Sequence, residues 1–239
     1  MTTTTVKSAF LKGCADGSPF ILVIIPFASL FGLIATEAGL SVLESLVFSL
    51  VVIAGAAQFT ALQLLQEEAP TVIVLTSALA VNLRMAMYSA SLTPYIGSAP
   101  LWQRAFAAYL TVDQSYVVSI AEFEKRPEMT VPQRVAYFFG AVAPVAPLWY
   151  IFTVVGAVLG TQVPDSWALD FAIPITFLAM IAPMFRTLPH VLAAFVAVVV
   201  SLLAAGVPYS MGVIIGGLAG MLAGAALEKH LAQKGDGND

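Results

Sequence analysis

Residues 18–36 read SPFILVIIPFASLFGLIAT, a run without a charged side chain. A helix over this run would be about 28 Å long at 1.5 Å per residue, close to the roughly 30 Å hydrocarbon core of a bilayer. Lys7 and Lys12 precede the run, but no obvious signal-peptide cleavage site follows it. We therefore expect a retained first transmembrane helix, preceded by a short disordered cytoplasmic leader over residues 1–17.

The remainder of the chain has the same apolar character. Hydrophobic residues make up 59% of the 239 residues and charged residues only 10%, and the mean hydropathy is +0.92. A soluble domain carries about 25% charged residues, so a water-soluble fold is excluded. The 10 Lys and Arg residues form no basic cluster, which argues against nucleic-acid binding. One cysteine, Cys14, and two histidines predict neither a disulfide nor a metal site, and we expect no cofactor.

Apolar windows long enough to cross a bilayer predict about eight spans. They cover residues 18–36, 43–65, 70–91, 102–121, 134–160, 168–185, 187–205 and 208–226. Short connections such as Glu67–Pro70 predict antiparallel neighbours, and no strand-like alternation supports a barrel. The predicted fold is an all-α, polytopic transmembrane helical bundle, one domain over residues 1–239 with a polar tail at 227–239. In a seven-span alternative, residues 168–205 merge or one segment is re-entrant.

Basic residues, which favour cytoplasmic loops, orient these spans. Eight crossings with both termini in the cytoplasm place most basic residues on one side: Lys7, Lys12, Lys125, Arg126, Arg134, Arg186, Lys229 and Lys234. Arg104 is then the one loop-proximal exception, and Arg84 falls within a span. We expect both termini on the cytoplasmic side.

Two charged residues lie inside predicted spans, Arg84 in the third and Asp113 in the fourth. A charge near the centre of a membrane helix costs about 2.5–3.5 kcal/mol on insertion scales. At similar depth on adjacent helices, the two ions would compensate each other. The pair either handles a substrate or proton, or only fixes helix register; intramembrane charges favour the functional interpretation.

Other polar groups accompany these charges. The sequence Gly55–Ala57 precedes Gln58, and small residues there permit local unwinding or close approach of another backbone. Near Arg84, hydrogen-bonding groups occur at Asn82, Tyr88, Ser89 and Ser91, which cannot all face one cavity.

Prolines and glycines indicate where helices break or pack. Prolines interrupt the first span and two later ones, removing backbone donors: Pro26, Pro144, Pro147, Pro174 and Pro183. We predict helix breaks with a gating role at Gly55 and at the last four of these prolines. A four-residue glycine spacing predicts close helix packing within the chain or with a partner: Gly212, Gly216, Gly220 and Gly224.

Known catalytic motifs are missing from the sequence, including GxSxG, HExxH and Walker-type loops. We therefore predict no catalytic residue and no enzymatic activity. Transport would then depend on an ion gradient, the solute gradient or another subunit.

Four segments together resemble the AzlC/YgaZ family of branched-chain amino acid exporters. They are IPFASLFGLIATEAGLSVLES at 25–45, AGAAQFTALQLL at 54–65, VNLRMAMYSASLTPY at 81–95, and the helix containing Asp113. The resemblance covers essentially the whole chain. It implies the large subunit of an exporter in a bacterial inner membrane, working with a small AzlD-like membrane subunit. Self-association is the alternative route to a complete transporter.

The resemblance also assigns site residues. The family's GA-x-QF motif falls on Gly55, Ala56, Gln58 and Phe59, and its N-x-R motif on Asn82 and Arg84. The chain departs from the family pattern at Met85, where His is common, and at Gln114, where an acid is common.

The predicted mechanism is alternating access around a cavity near the bilayer midplane. Arg84 attracts the substrate carboxylate, while Asp113 holds Arg84 and faces the ammonium group or exchanges a proton. Gln58 and Asn82 orient the polar head, Tyr88 adds a hydroxyl, and Phe59 accommodates an apolar side chain of valine, leucine, isoleucine or methionine.

Three rival functions stay open on the sequence. A non-transporting assembly subunit would use the charge pair and glycines only for packing. An exporter of another small zwitterionic or organic solute would share the site chemistry. A membrane enzyme acting on lipid or a metabolite lacks a catalytic constellation.

Overall fold

The computed structural model describes residues 5–161, 185, 187–207 and 211–235. Every regular element within these residues is helical. The helices are α1 Val6–Gly17, α2 Ile21–Glu37, α3 Val42–Val51, α4 Gly55–Gln66, α5 Thr71–Ile96, α6 Leu101–Tyr109, α7 Asp113–Lys125, α8 Val131–Val142, α9 Ala146–Gly160, α10 Leu188–Leu203 and α11 Met211–Gly235. A 3-10 turn, Ser18–Phe20, joins α1 to α2.

Four segments of the described chain are long and apolar enough to cross a membrane: Val6–Glu37, Thr71–Ile96, Val131–Gly160 and Met211–Leu231. The protein is a helical membrane bundle, as its composition predicts. The predicted count of eight spans is not confirmed, because α3 and α10 are shorter apolar helices.

The chain forms two compact units. The first contains Met1–Gln63 and Ala78–Ala168, and the second contains Leu64–Ser77 and Leu169–Asp239. In the second unit, α10 packs on α11. The predicted glycine spacing faces α10: a Cβ on Gly216 would lie 2.5 Å from the Ala197 carbonyl oxygen, and one on Gly220 would lie 2.4 Å from that of Ala193. This glycine face therefore makes a contact within the chain.

The N-terminal residues differ from the disordered leader that we expected. Helix α1 begins with a capping box: the Thr5 hydroxyl accepts from the Ser8 amide at 3.1 Å, and the Ser8 hydroxyl accepts from the Thr5 amide at 3.0 Å. Ala9, Gly13 and Gly17 are buried, where α1 packs on α8. Small residues on one face thus extend the first apolar helix back to Val6.

Two long helical segments form the core of the first unit, with α1 on α8 and α2 on α9. A Cβ on Gly140 would lie 2.1 Å from the Phe10 carbonyl oxygen, and one on Gly156 would lie 1.9 Å from that of Ser29. Because the contacting residue numbers rise together, the two segments run parallel. Glycine brings their backbones into direct contact.

The segment from α3 to α4, here called hairpin 1, reverses direction at residues 52–54. Gln58 Nε2 donates to Ser49 Oγ at 3.0 Å, although these residues would be about 13 Å apart along one straight helix. The Phe31 ring contacts both Phe48 and Phe59, each at 5.6 Å between centroids. These two contacts on either side of the break require α4 to fold back along α3.

The segment from α6 to α7, hairpin 2, reverses at residues 110–112. Helix α7 runs parallel to α5, since Asp113 contacts Arg84 and Phe123 contacts Tyr95 with ring centroids 5.5 Å apart. Helix α6 begins only five residues after α5 ends. Its first residues must therefore lie at the same end as the last residues of α7.

The base of hairpin 2 lies beside the start of α1. Trp102 and Phe106 of α6 line one cavity of about 460 Å³ with Phe10 of α1 and Val135 of α8. Hairpin 1 instead follows the end of α2, at the far end of the 32-residue segment Val6–Glu37. The two hairpins therefore enter from opposite ends of this unit.

These hairpins correct the prediction that residues 43–65 and 102–121 each make one crossing. Limbs of 9–13 residues are about 14–20 Å long, close to half of a bilayer core. Two short apolar limbs in succession have the length and composition of one full span.

The predicted proline breaks have mixed outcomes. Pro144 lies in the turn between α8 and α9, and Pro147 lies in the first turn of α9. Pro26 stays inside α2. Pro174, Pro183 and Arg186 lie outside the described residues.

Candidate functional site

The two hairpin tips meet in the first unit. Tyr109, the last residue of α6, donates its hydroxyl to the Leu50 carbonyl oxygen at 2.5 Å. The Tyr109 hydroxyl also lies 2.9 Å from that of Tyr150 on α9. The break after α3 leaves carbonyl groups without helical partners, and Tyr109 satisfies one of them. The sequence analysis did not identify Tyr109. The sequence predicts one continuous span over 102–121, so it gives no sign that α6 ends at this hydroxyl-bearing residue.

Arg84 and Asp113 lie together at the tip of hairpin 2. Arg84 Nη2 is 3.2 Å from Asp113 Oδ2, and the Tyr88 hydroxyl donates to Asp113 Oδ1 at 3.0 Å. The two residues come from α5 and α7, which run parallel rather than antiparallel as predicted. The contact forms because hairpin 2 returns Asp113 to the middle of the 26-residue helix α5.

Local electrostatics favour a carboxylate at this position. Asp113 is in the first turn of α7, where the helix dipole and free backbone amides stabilise negative charge. The side chains of Arg84 and Asp113 are 33% and 40% exposed within the chain. The pair is therefore open to a ligand rather than sealed in the core.

Two further polar atoms near Arg84 lack protein partners. Both Arg84 Nε and Asn82 Oδ1 are inaccessible and without a hydrogen bond. This unpaired donor and unpaired acceptor would bond a solute only after a movement that uncovers them.

Tyrosines form one wall beside this pair. The rings of Tyr88 and Tyr116 stack at 4.1 Å between centroids with a 9° interplanar angle. Tyr116 also shares a 3.0 Å hydrogen bond with Ser91. The stack holds the Tyr88 hydroxyl toward Asp113.

Gln58 belongs to a different cluster at the tip of hairpin 1. It contacts Ser49, whose hydroxyl lies 3.2 Å from that of Thr153 on α9. All three side chains are fully buried. Gln58 Oε1 and the Trp149 indole nitrogen are buried without partners. In this conformation Gln58 is not brought together with Arg84 and Asp113.

Phe59 lies within an aromatic cluster and is only 2% exposed. Its ring makes edge contacts with Phe27 at 5.1 Å and with Phe31 at 5.6 Å. A Cβ on Gly55 would lie 2.4 Å from the Phe27 ring and 3.0 Å from that of Trp149. Aromatic rings therefore cover the start of α4 and separate Phe59 from any open surface.

The site chemistry is that of paired opposite charges in an apolar protein. Within the described residues, no group of three His, Cys, Asp or Glu side chains has the arrangement of a metal site. Arg84 supplies guanidinium donors, Asp113 supplies acceptors, and Tyr88 and Asn82 supply neutral polar groups. Such a set has the donors and acceptors that a small solute carrying both charges requires.

Comparison with known proteins gives a family and two relatives. The family model described as AzlC protein matches residues 19–163. The chain is 27% identical over 191 residues to Inner membrane protein YgaZ of Escherichia coli, covering 75% of each chain. It is 28% identical over 182 residues to an uncharacterized membrane protein of Archaeoglobus fulgidus, covering 74% of this chain and 77% of the relative.

No solved structure matches the chain. The family match spans most of the first compact unit, including both hairpins and the Arg84–Asp113 pair. An integral membrane protein with a transporter-like role follows from these matches and from the apolar helices. The chain belongs to the AzlC family.

Proposed function

We propose that this protein exports branched-chain or related apolar amino acids, with the Arg84–Asp113 pair as the anchor of the solute's polar head. The supporting observation is the exposed ion pair at the tip of hairpin 2, at the middle of α5. An amino acid presents a carboxylate and an ammonium group on one carbon. Arg84 binds the carboxylate with paired donors, and Asp113 binds the ammonium group.

The pair itself keeps the empty site stable. In the absence of solute, each ion compensates the other, which lowers the cost of their partial burial. A zwitterion offers each ion a replacement partner, so binding exchanges one ion pair for two. Tyr88 continues to donate a hydrogen bond to Asp113, and Asn82 contributes its unpaired amide oxygen.

Two opposed hairpins support alternating access. Hairpin 1 and hairpin 2 enter from opposite ends of the unit and contact each other through Tyr109 and Leu50. Movement of one hairpin would open the site to one compartment while the other stays closed. Broken helices whose ends meet at a site supply this geometry in other transporters.

The hairpins also sharpen the proposed orientation. Arg104 lies in the first turn of α6 at the base of hairpin 2, so it is at the same end as Lys12, Lys125 and Arg134. Arg104 is then no longer an exception, and these basic residues of the unit, apart from Arg84 within α5, share one side. The positive-inside rule favours the cytoplasm for that side, so the proposed orientation has the N-terminus on the cytoplasmic side of a bacterial inner membrane.

A small AzlD-like membrane subunit is the proposed partner, and lipid covers the remaining apolar surface. Large apolar side chains are exposed along both long segments and along α5, among them Leu22, Ile151 and Leu83. A second copy of this chain is the alternative occupant. Copurification with and without the small subunit separates the two assemblies.

The decisive experiment is efflux of labelled valine, leucine and methionine from vesicles containing this chain, with and without the small subunit. We compare wild type, Arg84→Ala and Arg84→Lys at matched membrane abundance, with Lys7→Ala as a cation removed outside the site. The proposal expects loss of efflux only in the Arg84 variants. Efflux of none of these amino acids by wild type would overturn the substrate class, and low abundance of Arg84→Lys alone would support the assembly-subunit alternative.

A further inference from the structure

A second group of charges lies at the base of hairpin 2, away from the Arg84–Asp113 pair. Lys12 Nζ of α1 is 3.2 Å from Glu122 Oε2 of α7. The Glu122 side chain is only 6% exposed, whereas that of Lys12 is 42% exposed. Lys12 therefore covers a buried carboxylate from the outside of the unit.

Further contacts extend this ion pair to α8. Lys12 also pairs with Asp16 one turn later on α1, and Asp16 accepts a hydrogen bond from the Tyr137 hydroxyl at 2.6 Å. On α7, Arg126 Nη1 lies 3.4 Å from Glu122 Oε1. The network fastens one limb of hairpin 2 to both α1 and α8.

Above this network, the buried face of α7 is polar. Ser115 and Ser119 are 1% and 0% exposed, and Glu122 is 5% exposed. Their spacing of four and three residues places them on one helix face. This face runs from the base of hairpin 2 to the first turn of α7. The Asp113 side chain lies about 200° around the helix from Ser115, on the side that contacts Arg84 of α5.

The Ser119 hydroxyl has no hydrogen-bond partner although it is inaccessible. An unsatisfied buried hydroxyl costs free energy that alanine would avoid at nearly the same volume. A serine at this position is therefore useful in a conformation in which its hydroxyl meets water or solute. Opening of the packed interface that α7 makes with α1 and α8 would give the Ser119 hydroxyl such a partner.

We propose that the face formed by Ser115, Ser119 and Glu122 is one wall of a solute path that runs from the cytoplasmic end along α7 to its first turn, and that the Lys12–Glu122 ion pair closes it. The proposal rests on the transport function proposed above. Separation of Lys12 from Glu122 frees α7 to leave α1 and α8. Arg126 stays with Glu122 on α7, so the carboxylate keeps a counter-ion when the path opens.

Cysteine accessibility tests this path directly. In a Cys14→Ala background, Ser119→Cys introduces a thiol of similar size at a position without hydrogen bonds. Inside-out vesicles expose the cytoplasmic end to a membrane-impermeant methanethiosulfonate, and the labelling rate is measured without solute. Lys12→Met should raise that rate about tenfold, because open conformations of such two-state systems are minor populations that one lost contact can enlarge.

Three further variants show whether a faster labelling rate is specific to loss of the Lys12–Glu122 ion pair. Lys12→Arg should keep the slow wild-type rate, since it preserves the charge. Glu128→Gln removes an exposed partner of Arg126 and should also leave the rate unchanged. A thiol from Thr153→Cys, fully buried on α9, should stay slow in the Lys12→Met protein. An increase at Thr153→Cys would show general loosening and would overturn the gate.

Equal labelling of the Ser119→Cys thiol in wild type and Lys12→Met would also overturn the gate. This result would leave the proposed function intact, because labelling needs neither solute nor Arg84. Conversely, faster labelling combined with no amino acid efflux would support a gated path for a different solute. The labelling measurement can therefore reject the gate, and the efflux measurement can reject the transport function, independently of each other.

Discussion

Hairpin 1 and hairpin 2 have similar lengths and the same reversal, but their tips differ in chemistry. The tip of hairpin 1 is neutral and sealed, with Gln58 fully buried and Gly55 covered by aromatic rings. The tip of hairpin 2 is charged and open, with Asp113 40% exposed beside Arg84. Under the proposed function, this difference favours solute binding at hairpin 2 and closure by hairpin 1 in this conformation.

The largest expected effect is at the charged tip. Asp113→Asn leaves Arg84 without a counter-ion and removes the acceptor for an ammonium group. We expect amino acid efflux to fall at least about tenfold, equivalent to ~1.4 kcal/mol. The expected loss is modest for a charge pair because both side chains are partly exposed and solvent screens their charges. Efflux at matched abundance measures it, with Asp113→Glu as the charge-preserving control. Unchanged efflux in Asp113→Asn would remove the functional distinction between the tips.

The next effect concerns the seal on hairpin 1. Gly55→Ala places a methyl group against the Phe27 and Trp149 rings, and overpacking of this kind costs about 1–3 kcal/mol. We expect a lower midpoint for heat-induced loss of the monodisperse protein in detergent. Gly217→Ala is the matched control, since a Cβ there meets nothing within 4 Å. Equal midpoints would mean that the aromatic cover is loose.

A smaller effect is expected where the two tips meet. Tyr109→Phe removes the bonds to the Leu50 carbonyl and the Tyr150 hydroxyl, together about 1 kcal/mol after solvent competition. The tips should separate more readily. We expect the efflux rate to change by about fivefold in either direction, with the amount of protein in the membrane unchanged. Tyr95→Phe serves as a control tyrosine away from the tips. An unaltered efflux rate would show that this contact does not limit transport.

The smallest effect is expected from Gln58→Leu. Leucine has a similar volume, and it removes a buried carbonyl that already lacks a partner, while Ser49 and Thr153 still pair with each other. We expect stability within about 1 kcal/mol of wild type and an efflux change well below that of Asp113→Asn. Efflux and heating curves of the two variants test this ranking. A loss as large as that of Asp113→Asn would bring Gln58 into the solute site.

The charge pair could be predicted from the sequence, but its surroundings could not. Arg84 and Asp113 are costly in an apolar helix, so their mutual contact follows from elementary electrostatics. The reversals at residues 52–54 and 110–112 contain no proline. Hydropathy reports composition and not direction, so two limbs of a hairpin resemble one span.

Long-range contacts supply the missing information. The Gln58–Ser49 hydrogen bond and the position of Phe31 against both Phe48 and Phe59 show that hairpin 1 folds back. Similarly, the salt bridge of Glu122 lies with Lys12, 110 positions away in the sequence. The predicted span 102–121 ends just before Glu122, whose neighbours Glu124, Lys125 and Arg126 are charged.

The two reversals also have a consequence for how the chain is threaded through the membrane. Replacing two crossings by two hairpins changes the crossing number by an even amount, so the compartments of the N-terminus and of Thr161 stay the same. The chain between the two hairpins, which contains α5, would then cross the membrane in the opposite direction. An epitope inserted at residues 97–100 would then face the N-terminal compartment, whereas a chain with eight straight crossings would display it on the opposite side.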